Sequence, residues 1–284
     1  MRPPKRGWKQ ADASSLFLTL RKEFRGWWWL LPIAAIVLPS RVPPRKGLLS
    51  TSIGKRIITV TLRDGTRMRC RFGEFYSIVE VFGLKIYQSP EIDFEKLETI
   101  VDIGANIGAA SLWFLRQAPD CRVFSIEPDA LVSQILDTNC SMNDSKGRMK
   151  LVRAAIGGDS GVGRLIQGDS STTNRIVLEF DTAGRNVEQQ VPVYSLRDLF
   201  SYLNLESVDL IKLDCEGAEF AAISRSSAAD LQRVGVIIGE FHNSSGRPED
   251  LETALTRVGF SFRIISAGED AGMFVAARQS ITSS

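Results

Sequence analysis

A mainly parallel, Rossmann-like α/β sheet with helices on both faces and one antiparallel strand near its C-terminal edge is the fold this sequence predicts. Three observations predict it. From Thr99 onward, short apolar runs alternate with helical patterns, the signature of strand–helix–strand units. The first of those runs, Thr99–Ile103, reads as a buried strand, and the alternation as a whole argues for a mainly parallel sheet covered on both faces. The chain then ends differently: Phe262–Ile265 and Met273–Ala277 flank Glu269-Asp270-Ala271-Gly272, a hairpin that brings an antiparallel strand into a parallel sheet.

The elements follow in order. Ile58, Val60 and Leu62 alternate with polar residues, Asp64-Gly65 turns the chain, and Met68, Cys70 and Phe72 alternate again. That is a β-hairpin pattern, and a short helix is expected at Phe75–Phe82. Thr99–Ile103 is the first strand of the main sheet, followed by a glycine turn and a helix through Leu115. Arg122–Ile126 and Lys150–Ala155 are the second and third strands, with a helix from Asp129 to about Cys140 between them. Val208–Leu213 and Val234–Phe241 are the fourth and fifth, followed by helical patterns at Ala218–Ile223 and Glu249–Val258. Residues 157–195 are irregular, with Gly157, Gly158, Gly161, Gly163 and Gly168 near the polar run Ser170-Ser171-Thr172-Thr173-Asn174. Two readings stay open there, a functional loop and an edge hairpin with a mobile tip. The expected organisation is a basic segment over 1–50, an accessory hairpin–helix unit over 51–90, and the main domain over 91–284.

Composition sets limits on function. The 284 residues carry a net charge of +2, too small to imply nucleic-acid binding by itself, and no nucleic-acid partner is expected. Cys70, Cys121, Cys140 and Cys215 form no Cys-x-x-Cys pair, so neither a zinc site nor a disulfide scaffold is expected, and a cytoplasmic setting is. His242 is the single histidine, which excludes sites needing several imidazoles.

The charge is uneven. Residues 1–50 hold ten basic side chains against Asp12 and Glu23, a net of +8, leaving −6 on the remaining 234. Leu16, Leu20, Phe24, Trp27, Trp28 and Leu31 recur at helical spacing there, and Trp27 to Leu38 is an uncharged run of twelve broken by Pro32. A membrane span needs ~20 apolar residues, so this run is too short. A secretory signal would need a small-residue cleavage site that is not evident. Two readings remain: a helix packed on the body or on a partner subunit, and peripheral membrane contact through residues 15–38.

The sharpest local feature is Val101-Asp102-Ile103-Gly104-Ala105-Asn106-Ile107-Gly108. A strand ends in an acid, Gly104 lets the backbone turn and approach a ligand, Asn106 is expected to cap the helix, and Gly108 permits close helix–sheet contact. Free N–H groups at such a turn suit a polar ligand. Glu127 ends the next strand 23 residues after Gly104, where a carboxylate can accept both ribose hydroxyls of an adenosine-containing ligand. A nicotinamide site would want a second glycine where Asn106 stands, and Asp102 would repel a diphosphate. Asp102 suits an amine. S-adenosyl-L-methionine has an ammonium, a sulfonium and a ribose but no phosphate, and it is the better match.

At this point the sequence resembles the FkbM family of S-adenosylmethionine-dependent methyltransferases. VDIGANIG at 101–108, IEPDA at 126–130, LIKLDCEGAE at 210–219 and GEFH at 239–242 carry the likeness, which covers about residues 57–278. The resemblance implies a class I methyltransferase sheet, strand order 3-2-1-4-5-7-6, and O-methylation of a sugar, glycan or secondary metabolite. By position it implies that Asp102, Gly104, Asn106 and Gly108 hold the methionine part and Glu127 the ribose. Pro128 and the turn containing Ala155 border the adenine, and Lys212, Asp214, Glu216 and Glu219 lie at the methyl end. Cys215 stands where a β-branched apolar residue is expected.

The chemistry adds its own demands. Methyl transfer to a hydroxyl needs alignment and a proton acceptor. Asp214, Glu216 and His242 are the candidates in that order, with Lys212 holding a carboxylate ionised. A metal-free site is expected; magnesium on Asp214, Glu216 and Glu240 is the alternative. An N-methyltransferase and a NAD-type oxidoreductase are the competing activities. The acceptor pocket is expected from residues 51–90, 157–195 and Asn243-Ser244-Ser245-Gly246.

Overall fold

The computed structural model describes residues 21–25, 54–144, 146–166, 175–178 and 189–278. Of the stretch 15–38 only Arg21–Arg25 is among them; the rest, like the polar run 170–174, lies outside the described residues. Among the described residues no helix is long and apolar enough to cross a membrane.

Strands β1 (Ile57–Thr61) and β2 (Arg67–Arg71) form the expected hairpin. A helical stretch from Phe72 to Gly83 follows it, ending in a π-helical turn at Val79–Gly83. In the main domain, β3 (Thr99–Ile103), helix α1 (Ala109–Gln117), β4 (Arg122–Ile126), α2 (Ala130–Asn143) and β5 (Met149–Val152) build the first half. A second sheet follows, of β6 (Ala155–Ile156), β7 (Gly161–Ile166), β8 (Arg175–Leu178) and β9 (Gln189–Tyr194), in the order β6-β9-β7-β8. The second half contains α3 (Leu196–Leu203), β10 (Val208–Leu213), α4 (Glu219–Ser224), α5 (Ala228–Gln232), β11 (Val234–His242), α6 (Pro248–Thr256), β12 (Phe260–Ala267) and β13 (Ala271–Arg278).

Seven strands make the main sheet, in the order β12-β13-β11-β10-β3-β4-β5. Numbered within that sheet and read from the β5 edge, this is 3-2-1-4-5-7-6. Only β13 runs against its neighbours, between β11 and β12. Alternate strand residues feed two cores. Ile100, Val123, Leu210 and Ile238 face α1, α2 and the hairpin, while Val101, Ile103, Phe124, Ile211 and Ile237 face α3, α4 and α6.

The stretch 157–195 corresponds to the hairpin reading in its described parts: β7 pairs antiparallel with both β8 and β9. Two helices had escaped the sequence reading. In α3, Leu196, Leu199, Phe200 and Leu203 form a buried stripe behind the Ser195 cap. In α5, Ser227 and Asp230 form a reciprocal capping box.

The hairpin is stitched to α2. The Asn143 and Asn139 side-chain amides each accept from one backbone N–H and donate to one carbonyl of β2, at Arg67 and Arg69 respectively. Phe24, a member of the N-terminal apolar stripe, bridges to Leu62 and is buried edge-on against Phe75. At least this part of the stripe packs on the body.

Candidate active site

The carboxyl ends of β3, β4, β10 and β11 meet along one side of the sheet, where open α/β folds place their ligands. At β3 the chain makes a turn with three left-handed residues, Gly104 (φ 73°), Asn106 (φ 49°) and Gly108 (φ 85°). This corrects the expected cap. Helix α1 begins at Ala109, with Gly108 at the capping position and no side-chain cap. Asn106 sits in the turn because asparagine tolerates the left-handed region better than most side chains. Beyond the turn that its φ allows, Gly104 has a second reason to be glycine. A Cβ there would lie 1.7 Å from the Asp214 carbonyl oxygen, so the neighbouring strand end excludes it. At Gly108 a Cβ would meet the Leu136 side chain at 2.4 Å, in keeping with close helix–sheet contact.

Asp102 lies beneath this turn, fully buried. Its Oδ2 accepts from Ser111 Oγ at 2.5 Å, and its Oδ1 is 3.1 Å from Lys212 Nζ. Lys212 is the adjacent residue on β10. Its ammonium also donates to the Gly104 carbonyl at 2.7 Å and lies 3.6 Å from Asp214. Burial opposes the charge on Lys212, but Asp102 and Asp214 outweigh it and hold its pKa above the ordinary value. Lys212 thus props the turn from below. Ser111 and its partner Ser125, 2.7 Å away, were absent from the sequence reading, since serines inside a helix and a strand give no signal of a carboxylate between them.

Glu127 follows β4 and is buried. Its Oε2 accepts from the Asn106 N–H and its Oε1 from the Asp129 N–H, both at 2.9 Å. Burial pushes its pKa up to about 7, against the pull of those two hydrogen bonds. Pro128 is held by Gln189 of β9, which donates to its carbonyl and accepts from the Ala130 N–H. The side chain of Ala155 is committed to the second sheet, packed with Val191 and Val193.

The acids gather at the ends of β10 and β11. Tyr87, delivered by the segment after the hairpin, donates to Asp214 Oδ2 at 3.3 Å. Glu219, wholly buried at the start of α4, organises the cluster. It accepts from the Gly217 N–H (2.8 Å), the His242 N–H (2.9 Å) and His242 Nδ1 (2.8 Å). That leaves His242 Nε2, 3.5 Å from Glu216. Glu216 itself is a non-glycine residue at φ 55°, a strained conformation of the kind that concentrates at functional sites. Burial and then the Asp214 charge push Glu216 to about 8 and Glu240 to about 7. Burial opposes the charge on His242, but the Glu219 hydrogen bond and the surrounding carboxylates outweigh it and raise its pKa to about 9. His242 is also the last residue of β11 instead of following it.

The site therefore brings together Lys212, Asp214, Glu216, Glu219, Glu240 and His242, with the turn and Glu127 beside them. It offers acceptor groups to two kinds of cation. Asn106 Oδ1 is buried without a hydrogen-bond partner, an acceptor that fits the amine of an amino-acid ligand. Asp214, Glu240 and His242 offer ligand atoms within 4.8 Å of one another, a set that suits a divalent metal.

Comparison with known proteins adds the family. The family described as Methyltransferase FkbM domain matches residues 102–262. Methyltransferase sdnD of Sordaria araneosa is 27% identical over 210 residues, covering 63% of this chain and 81% of that protein. The 31-O-demethyl-FK506 methyltransferase FkbM of Streptomyces tacrolimicus is 20% identical over 211 residues, covering 64% and 80%. Among solved structures, an O-methyltransferase family protein from Burkholderia thailandensis is 10% identical with a TM-score of 0.44, covering 74% of this chain and 57% of that one. A precorrin-6y C5,15-methyltransferase from Geobacter metallireducens is 12% identical with a TM-score of 0.40, covering 66% and 86%. Those two likenesses are loose, and the class I topology rests on the strand order given above. A match over more than half the chain, on a sheet of this order, is decisive: the chain belongs to the FkbM family of methyltransferases, enzymes that take their methyl group from S-adenosylmethionine.

Proposed function

We propose that this methyltransferase places its methyl group on a hydroxyl oxygen of a sugar, glycan or secondary metabolite, with Asp214 receiving the proton. The observation that carries the proposal is the surplus of carboxylates at the ends of β10 and β11, where Asp214 is held between Tyr87 and Lys212. A relative whose name specifies an O-demethyl acceptor supports oxygen over nitrogen. Bound S-adenosylmethionine supplies an electrophilic methyl on a cationic sulfur. The chain's own work is to seat it and to take the proton. Gly104, Asn106 and Gly108 shape the turn that receives the amino-acid portion, and Asp102 supports that turn through Lys212. Glu127 keeps lone pairs free for ribose hydroxyls, with Pro128 and the Ala155 backbone bordering the base. Fixing the acceptor oxygen in line with the methyl supplies much of the rate. Asp214 accepts the hydroxyl proton; Glu216, pushed to about 8, and His242, held near 9, are both mostly protonated at neutral pH and come after it in that order.

Ser245 supports the expected acceptor pocket. A Cβ on Gly217 would lie 2.1 Å from Ser245 Oγ, so the loop after β11 abuts the residue next to Glu216. Ser245 and Gly246 also line a surface groove of about 200 Å³ with Phe220 and Leu251. A metal-free reaction is part of the proposal, and turnover unaffected by EDTA is its expected outcome. The direct test is mass spectrometry of cell extract incubated with the enzyme and isotopically labelled methyl donor. Label on a hydroxyl oxygen is expected, and label on nitrogen overturns the proposal.

A further inference from the structure

We propose that the outward face of the β1–β2 hairpin is a docking surface for an anionic membrane. The hairpin's alternation puts Met68 and Cys70 into the core and Arg67, Arg69 and Arg71 on the opposite face. Cross-strand register sets Thr61, Thr59 and Ile57 directly beside those arginines, so this face carries three guanidiniums and no acid. Ile57 is 44% exposed, an apolar side chain among cations. Lys55 and Arg56 precede it, both exposed. Of the nearby acids, Glu23 and Asp64 are both engaged by Arg116, and Glu23 by Lys85 as well. Arg71 pairs with Glu74, while Arg67 and Arg69 have no acidic partner among the described residues.

A basic face alone would fit any polyanion. The chain's path favours a membrane. The Arg25 N–H donates to the Thr61 carbonyl and the Arg63 N–H to the Glu23 carbonyl, so the chain leaves the described structure at the edge of this hairpin. It returns at Gly54, just before β1. The sequence between those two points contains Trp27-Trp28-Trp29-Leu30-Leu31 and runs uncharged from Trp27 to Leu38. An uncharged, tryptophan-rich stretch of sequence joined to a cationic hairpin combines two signals for peripheral binding, apolar insertion and attraction to anionic headgroups.

The test is co-sedimentation of the full chain with vesicles of phosphatidylcholine alone and of phosphatidylcholine containing one third phosphatidylglycerol. Pelleting with the anionic vesicles that weakens as salt rises is expected. Each surface arginine contributes about fivefold to such binding, so Arg67→Glu with Arg69→Glu should lower it at least tenfold. The fold is spared, because the stitches to α2 at these positions use backbone atoms. A melting temperature near wild type checks that point. The control Arg122→Glu with Arg257→Glu should bind as wild type does. Equal binding by the hairpin variant and wild type, or equal pelleting with neutral vesicles, overturns the proposal. So does binding to single-stranded RNA in place of vesicles.

Discussion

Asp102 and Asp214 lie at neighbouring strand ends and share one lysine, yet their surroundings give them opposite work. Asp102 is sealed off, its charge met by Lys212 and its hydrogen bonding by Ser111. Asp214 is about a quarter exposed and stands among Glu216, Glu240 and His242, where carboxylates outnumber cations and where burial and then the Asp214 charge raise the pKa values of the two glutamates. The difference teaches that residue type at a strand end does not decide function. An acid whose charge is already balanced holds structure together, and one in an unbalanced cluster is available to a cation or a proton.

The strongest way to break this comparison is Lys212→Met. It leaves Asp102 buried without its counter-charge and the Gly104 carbonyl without its donor, so a loss of about 3–5 kcal/mol in urea unfolding is expected. A loss under ~1 kcal/mol would mean that Asp102 is not held as described. Asp214→Asn should do the reverse, lowering kcat by about 10²-fold or more while stability shifts by less than ~1 kcal/mol. If turnover survives that change and falls in Glu216→Gln, the proton acceptor is Glu216. A smaller effect is expected at Glu127→Gln, where calorimetry should show donor binding weakened roughly tenfold with the fold intact.

The smallest effect separates stored charge from catalysis. His242 has a folded pKa near 9, above its unfolded value of about 6.5. Its contribution to stability is therefore full below about pH 6.5 and lost as pH rises through about 9. The melting-temperature advantage of wild type over His242→Gln should shrink by a few degrees across that window. Glu216, also raised, titrates over part of the same range, which is why the difference between the two proteins is the quantity to follow. An advantage that stays constant from pH 6 to 9.5 would show that the Glu219–His242 pair does not hold a proton.

Much of this was legible in the sequence. Acid-terminated apolar runs located β3, β4 and β10, and the closing hairpin placed the antiparallel strand. What sequence could not show was which groups face each other across the sheet. Gly104 needs to be glycine because of a carbonyl 110 positions later in the chain. The resemblance grouped Glu219 with the other acids at the methyl end, but only its burial and its hydrogen bond to Nδ1 make it the anchor of His242. The left-handed Asn106 looked like a cap because capping asparagines and left-handed asparagines occur beside the same glycine-rich turns.

The amide stitches between α2 and the hairpin have a consequence for assembly. Two asparagines four apart on a helix are about 6 Å apart along its axis, and alternate residues of a strand about 6.6 Å, so one helix face can imitate a partner strand. That imitation closes the β2 border to strand addition by another molecule, the usual hazard of an open sheet margin. Chimeras that exchange the hairpin between relatives would have to transplant Asn139 and Asn143 with it, or leave a sticky border behind.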